Sequence, residues 1–145
     1  MQVHQILAGK TIDSIWSVGP ESTVFEALEI LKNKNIGAVL VLEAGKMVGI
    51  FSERDYARKG ILMGRASKDT LIKDVMTQKV ITVDVEQKIE ECMEIMSEKH
   101  IRHLPVMKEE KLIGIISIND IVNAIIREQK AHIKSLESYI SGSPY

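Results

Sequence analysis

The stretch Gly49-Ile50-Phe51-Ser52-Glu53-Arg54-Asp55 returns later in the chain as Gly114-Ile115-Ile116-Ser117-Ile118-Asn119-Asp120. Each copy reads glycine, two apolar residues, serine, two variable residues, aspartate. The apolar run predicts a strand end, and the residues after the serine predict the start of a helix. A serine at that junction caps the helix, where unpaired backbone N–H groups and the positive dipole end suit an anion such as phosphate. The aspartate three residues on lies one turn further, beside the same end. Its carboxylate can accept two hydrogen bonds from a vicinal diol such as a ribose. One copy alone is explained as a capping box, with serine as cap and aspartate at the third helical position. Two copies in equivalent places point to a shared task.

Outward from the motif, the repetition continues. With Ser17 laid on Thr82 and Asp55 on Asp120, the two stretches align without a gap, and 13 of 39 pairs are identical. Most other pairs exchange one apolar residue for another, as in Val24/Ile89, Leu28/Met93 and Met47/Leu112. Each copy predicts the same order. A short strand, around Trp16–Val18 and Val80–Val83, comes first. A helix follows, with apolar positions Val24, Ala27, Leu28, Leu31 and Ile89, Cys92, Met93, Met96 at i, i+3, i+4, i+7 on one face. Ala38–Leu42 is a continuous apolar run and predicts a strand buried on both sides; its counterpart is Leu104–Met107. Ala44-Gly45 and Lys108-Glu109-Glu110 turn the chain into Met47–Phe51 and Lys111–Ile116. The motif closes that strand and opens the last helix. The order is β-α-β-β-α twice, a mixed α/β (α+β) fold. A unit of about 55–60 residues is marginal alone, so the two are expected to pack sheet to sheet. The repeat boundaries are drawn at 1–69 and 70–145.

Composition narrows the function classes. At 45% hydrophobic and 27% charged over 145 residues, the chain can bury a core. A net charge of −1 gives no general attraction to nucleic acid or anionic membrane. Few aromatics argue against a stacking platform for single strands. No apolar run approaches the ~20 residues of a membrane span, and Met1–Gln5 has no signal-peptide pattern. The single cysteine excludes an internal disulfide framework and fits a reducing compartment; a cytoplasmic location is expected. Cys92 aligns with Ala27, which predicts a core position rather than a nucleophile.

The flanks carry further signals. Val3–Leu7 predicts a lead-in helix and Thr70–Met76 its counterpart before the second repeat. Gly60–Thr70 reads as a polar linker whose charges, Arg58, Lys59, Arg65 and Lys68 among them, are solvated. After Asp120, Ile121, Val122, Ile125, Ile126, Ile133, Leu136 and Ile140 keep roughly helical spacing, so this helix exceeds what one repeat needs. Pro105 inside a strand predicts an edge or a bulge. His100 and His103 would point to opposite faces of an extended strand, which disfavours a metal site. A Ser117, His103, Asp120 triad has no evident oxyanion loop.

The duplicated β-α-β-β-α unit ending in Gly-apolar-x-Ser-x-x-Asp resembles the CBS domain. The chain is similar to a single CBS pair, or Bateman module. Gly49–Lys59, Gly64–Thr70, Met76-Thr77 and Ile101–Val106 sharpen the likeness to small single-module CBS proteins of bacteria and plant organelles. The resemblance implies two repeats related by a pseudo-twofold axis and a regulatory binding module, not an enzyme. It implies an adenosine ligand, AMP, ADP or ATP, with NAD(H) or S-adenosylmethionine as alternatives, and no catalytic cofactor or metal. It implies a homodimer acting through a regulated partner protein, and charge and hydropathy add no nucleic acid and no membrane. A ligand-free dimerisation piece, or a small nucleotide-processing enzyme, is the alternative. One cleft would use Asp55 for ribose and Ser52 near phosphate, with Arg102 and His103 reaching in from the other repeat. The second would use Asp120 and Ser117, with Arg54 reaching across; Asn119 is Arg54's counterpart for the first. Adenine would lie against Asp13, Ser14, Ile15, Ala38, Val80, Ile81 and Leu104. Asn119 stands where relatives have glycine, and the Asp120 cleft is the less basic.

Overall fold

A computed structural model describes residues 1–9 and 15–141. The chain forms α1 (Val3–Ala8), β1 (Ser17–Val18), α2 (Val24–Lys34), β2 (Ala38–Glu43), β3 (Lys46–Ser52) and α3 (Glu53–Asp55). A π-helical turn over Tyr56–Gly60 and 3₁₀ turns over Ile61–Met63 and Ile72–Asp74 come next. The second repeat forms β4 (Val83–Asp84), α4 (Ile89–Lys99), β5 (His103–Lys108), β6 (Lys111–Ser117) and α5 (Ile118–Ile140). The strands make two three-stranded sheets, ordered β1-β2-β3 and β4-β5-β6. In each, the first pair is parallel and the second antiparallel. The mixed α/β class read from the repeat is the class observed.

The periodicities resolve into packing. Thr23 Oγ1 accepts from Glu26 N at 3.2 Å and starts α2. Val24, Ala27 and Leu31 are buried with Val39, Val41, Phe51, Ile72 and Val75 in one core cluster. Burying each of these side chains except Ala27's is worth about 1.5–3 kcal/mol. On α4 the buried positions are Ile89, Cys92 and Met96, while Met93 is exposed at the margin of the predicted face. Ala38–Val41 are all buried, as a strand covered on both faces requires. Asn35 ends α2 in the left-handed region at φ 53°, and His100 ends α4 at φ 55°. His100 is therefore a helix terminus and not, as expected, a strand residue.

Of the two alternatives expected for Pro105, an edge or a bulge, the edge is not observed and a bulge is present beside it. Pro105 sits in β5, the central strand, not at an edge. The register shift beside it, between Val106 and Met107, has a twin between Val41 and Leu42, where there is no proline, so Pro105 does not cause the bulge. Its effect is on β4. In the first repeat Leu40 N donates to Trp16 O at 3.1 Å. Pro105 occupies the position of Leu40 and has no N–H to donate. Pairing in the second sheet accordingly begins one residue later, at Val83 with Val106 rather than Thr82 with Pro105.

Each sheet recruits a lead-in segment from outside its own repeat. The chain divides into compact units Asp13–Thr82 and Met1–Ile12 with Val83–Tyr145. In the first, Leu71 bridges Thr23, Ile72 N donates to Ser22 O at 2.8 Å, and Val24 N donates to Thr70 O at 2.9 Å. In the second, Gln2 bridges Lys88, Val3 N donates to Gln87 O at 2.9 Å, and Ile89 N donates to Met1 O at 3.1 Å. The two sets correspond residue for residue. Met76 lies over Gly49 as Leu7 lies over Gly114. A division at 69/70 follows the sequence repeat, whereas the compact units pair the first repeat with the segment after it and the second with α1.

Candidate functional site

Both motif serines end a strand and cap the helical turn behind it. Ser52 is extended, φ −121° and ψ 167°, and its Oγ accepts from Asp55 N at 3.2 Å. Asp55 Oδ2 accepts in return from Ser52 N at 3.0 Å and from Ser52 Oγ at 3.1 Å. Ser117 repeats this, with Asp120 N donating to Oγ at 3.1 Å and Ser117 N donating to Asp120 Oδ2 at 2.8 Å. Both copies are therefore complete capping boxes.

What surrounds the two carboxylates differs. Asp55 is 8% exposed, and its Oδ1 accepts from Thr77 Oγ1 at 2.9 Å. Lys59 Nζ stands 3.5 Å from the same oxygen. A carboxylate offers about four lone-pair positions. Ser52 N, Ser52 Oγ and Thr77 Oγ1 take three of them. A diol bound through both hydroxyls must displace one of these donors. Thr77 is held there by antiparallel bonds with Ile50, N to O at 2.8 and 3.0 Å. In the second repeat Ala8 stands at the position of Thr77 and Ala124 at that of Lys59.

Sheet pairing gathers the remaining candidates within each unit. Ala38 pairs with Ser52, and Glu53 N donates to Gly37 O at 3.1 Å. His103 pairs with Ser117, and Ile118 N donates to Arg102 O at 2.9 Å. One end of the second sheet thus carries exposed Arg102, half-buried His103 and buried Leu104 beside Ser117 and Asp120. The same end of the first carries uncharged Gly37 and buried Ala38 beside Ser52 and Asp55. Arg54 and Asn119 are exposed at the second helical position after each serine. Ile15, Val80 and Ile81 are half-buried ahead of β1 and β4. Asp13 and Ser14 lie outside the described residues. Thr77 and Lys59 were missed as site residues. The i, i+4 spacing of Asp55 and Lys59 is a usable signal, and it corrects the reading of Lys59 as merely solvated. Thr77 is far from Asp55 along the chain and gives no local signal.

Other chemistry is sparse among the described residues. Cys92 is fully buried, and burial, with the charge of Glu91, pushes its thiol up to about 11. It is no ready thiolate. No group of three or more His, Cys, Asp or Glu could hold a metal ion. No helix is long and apolar enough to cross a membrane. An open groove of about 490 Å³ between α1 and α5, lined by Gln5, Ile6, Ala124 and Arg127, contains none of the motif residues.

The family model for the CBS domain matches residues 10–61 and 72–127. The mitochondrial CBS domain-containing protein CBSX3 of Arabidopsis thaliana is 39% identical over 140 residues, covering 92% of this chain and 68% of that protein. A solved CBS-domain protein from Burkholderia ambifaria is 43% identical with a TM-score of 0.87, covering 89% of this chain and 96% of that one. The CBS domain pair of protein MJ0100, solved with 5′-methylthioadenosine and S-adenosyl-L-methionine, is 25% identical with a TM-score of 0.77, covering 88% and 98%.

Proposed function

The chain belongs to the CBS domain family, and on that premise we propose that it is a regulatory module that binds an adenosine nucleotide and acts through a partner protein, without catalysis of its own. The observation that carries this is the pair of matched serine–aspartate caps, each closing the antiparallel strand of a three-stranded sheet. The adenosine compounds bound by the MJ0100 pair support the ligand class. AMP is the proposed ligand. Asp55 and Ser52 would hold its ribose and phosphate ends in one cleft, with Arg102 and His103 supplying charge to the phosphate. Asp120 and Ser117, with Arg54, would serve a second. Ile15, Ala38, Ile81 and Leu104 would line the adenine. The guanidinium of Arg102 can grip two phosphate oxygens at once. Assembly as a homodimer with twofold symmetry belongs to the same reading, because α2, α4 and α5 leave Phe25, Met93 and Val122 exposed.

A thermal-shift panel of AMP, ADP, ATP, NAD, NADH, S-adenosylmethionine and adenosine tests it. At 100 times its dissociation constant a ligand adds about 2.7 kcal/mol, a melting shift of roughly 5–10 °C for a chain of this size. Arg102→Ala should weaken AMP by about 1.5–3 kcal/mol and leave adenosine nearly unchanged. No shift with any of these compounds at millimolar concentration would overturn the reading. It would instead favour a dimerisation piece in which Thr77 and Lys59 complete a purely structural cap on Asp55.

A further inference from the structure

Helix α5 has two apolar faces, and the fold uses one. Ile121 and Ala124 are buried against the second unit's core. A separate stripe runs through Val122, Ile126, Gln129, Ile133, Leu136 and Ile140, all exposed. These positions step by 4, 3, 4, 3 and 4. At about 100° per residue they fall within an arc of roughly 80°, turned away from the buried side. Ile133 is 53% exposed, Leu136 47% and Ile140 82%. From Arg127 to Glu137 every residue is exposed, so these three turns have little intramolecular cover. A lone helical segment of that length is marginal in water, and an aliphatic stripe of that length marks an interaction surface.

The stripe specifies its own occupant. Set in a heptad, Ile126, Ile133 and Ile140 take the a positions, and Val122, Gln129 and Leu136 the d positions. β-branched residues at a with leucine at d, as Leu136 is here, favour two parallel strands, and Gln129 supplies a polar core residue of the kind that at a positions fixes register. In parallel, in-register pairing, Gln129 faces Gln129 of the partner subunit, and the two amides can hydrogen-bond. The flanks also fit, since His132 at g falls beside the partner's Glu137 at e. An antiparallel pair matched on Ile133 and Leu136 would set Gln129 against the partner's Ile140 and bury an amide without a partner. We propose that the projecting half of α5 pairs with the same helix of a second copy of this chain as a parallel, in-register, two-stranded coiled coil. This rests on the homodimer reading above and adds the surface that makes the contact.

The experiment uses the full chain with Leu136→Cys, and Ser135→Cys on the outer face as control. Native Cys92 is buried and stays silent. Under mild oxidation Leu136→Cys should give a covalent dimer on a non-reducing gel, and Ser135→Cys should not. The double variant Ile133→Asp/Leu136→Asp should raise the dimer dissociation constant at least tenfold by light scattering. Its melting curve should still report a folded core, because both residues lie on the exposed stripe. If the wild type is a dimer but Leu136→Cys does not cross-link, or the double variant dissociates no more readily, the coiled coil is overturned and the homodimer stands. If cross-links form only between Ile133→Cys and Leu136→Cys chains, the pairing is antiparallel and the proposal fails. A wild-type particle of one chain's mass, 16.3 kDa, at micromolar concentration overturns both readings.

Discussion

The two repeats share strand order, register and capping geometry, yet they surround their aspartates differently. In the first repeat, Asp55 is held by Ser52, Thr77 and Lys59 in a nearly closed shell. In the second, alanines stand where Thr77 and Lys59 would be, and the cap opens into the 23-residue α5 instead of a π-helical turn. Duplication preserved what the backbone needs: glycine for close approach, serine for the cap, aspartate to bond back to the serine N–H. It did not preserve Thr77 and Lys59, whose places are taken by Ala8 and Ala124. The cap is therefore what the two copies of the motif share, and the residues placed around the carboxylate are where they differ.

The close approach itself separates the repeats most strongly. A Cβ on Gly49 would meet Met76 Sδ at 2.6 Å and the backbone Thr77 O at 2.9 Å. For a Cβ on Gly114 the three nearest atoms all belong to the side chain of Leu7, Cδ2 first at 2.9 Å. A leucine methyl can turn aside, whereas a carbonyl oxygen paired to Ile50 N cannot without breaking that bridge. Gly49→Ala should therefore cost about 2–3 kcal/mol and Gly114→Ala about 1 kcal/mol or less, the two ends of the overpacking range. Urea unfolding of both variants measures the gap. Equal losses would mean that the linker and α1 are equally pliant and the asymmetry has no energetic content.

The aspartates give the next contrast. Asp55→Ala removes a charged acceptor from three donors and strands the Thr77 hydroxyl, at a cost of about 2 kcal/mol. Asp120→Ala should cost about 1 kcal/mol or more, since it removes the acceptor of the Ser117 N–H bond that completes the cap. Thr77→Val should reproduce most of the Asp55→Ala loss, because it withdraws a hydrogen bond to a largely buried carboxylate. A chemical-denaturation series on the three variants ranks them. If Asp120→Ala proves the more damaging, the closed shell around Asp55 is not where the first repeat gains stability.

Local pattern made most of the fold legible. The i, i+3, i+4, i+7 spacing placed α2 and α4, and the apolar run Ala38–Leu42 placed the doubly buried strand. The Ser–Asp caps were readable because their partners are three residues apart. Three features were not, and each depends on a distant residue. The delayed start of β4 is set by Pro105, on a strand beyond the whole of α4, through an absent N–H. The lead-ins were recognised as counterparts, but the repeat each docks against is decided by strand-edge pairing between segments far apart in the chain. Thr77 reaches Asp55 only because that docking lays it beside Ile50. The site was thus legible as far as the chain's own turns define it, and no further.

A last contrast lies inside the matched helices. Ala27 in α2 and Cys92 in α4 fill equivalent positions, and both are fully buried. Only the second can titrate. Its thiol is pushed from 9.0 up to about 11 in the folded chain, first by burial and then by Glu91. Below pH 9 both states keep the proton and the group is silent. Between about pH 9 and 11 the unfolded chain releases it while the folded chain holds it, so the unfolded state gains and stability falls as pH rises. Near pH 10 the loss should be about 1.4 kcal/mol, one pH unit of differential protonation. Cys92→Ala copies the first repeat's solution and should flatten this part of the profile while lowering stability near neutral pH only through lost packing. Denaturation midpoints of wild type and variant at pH 8, 9 and 10 decide it. Parallel profiles for the two proteins would show that the thiol ionises as readily folded as unfolded, and that α4 opens at Cys92 more easily than its packing implies.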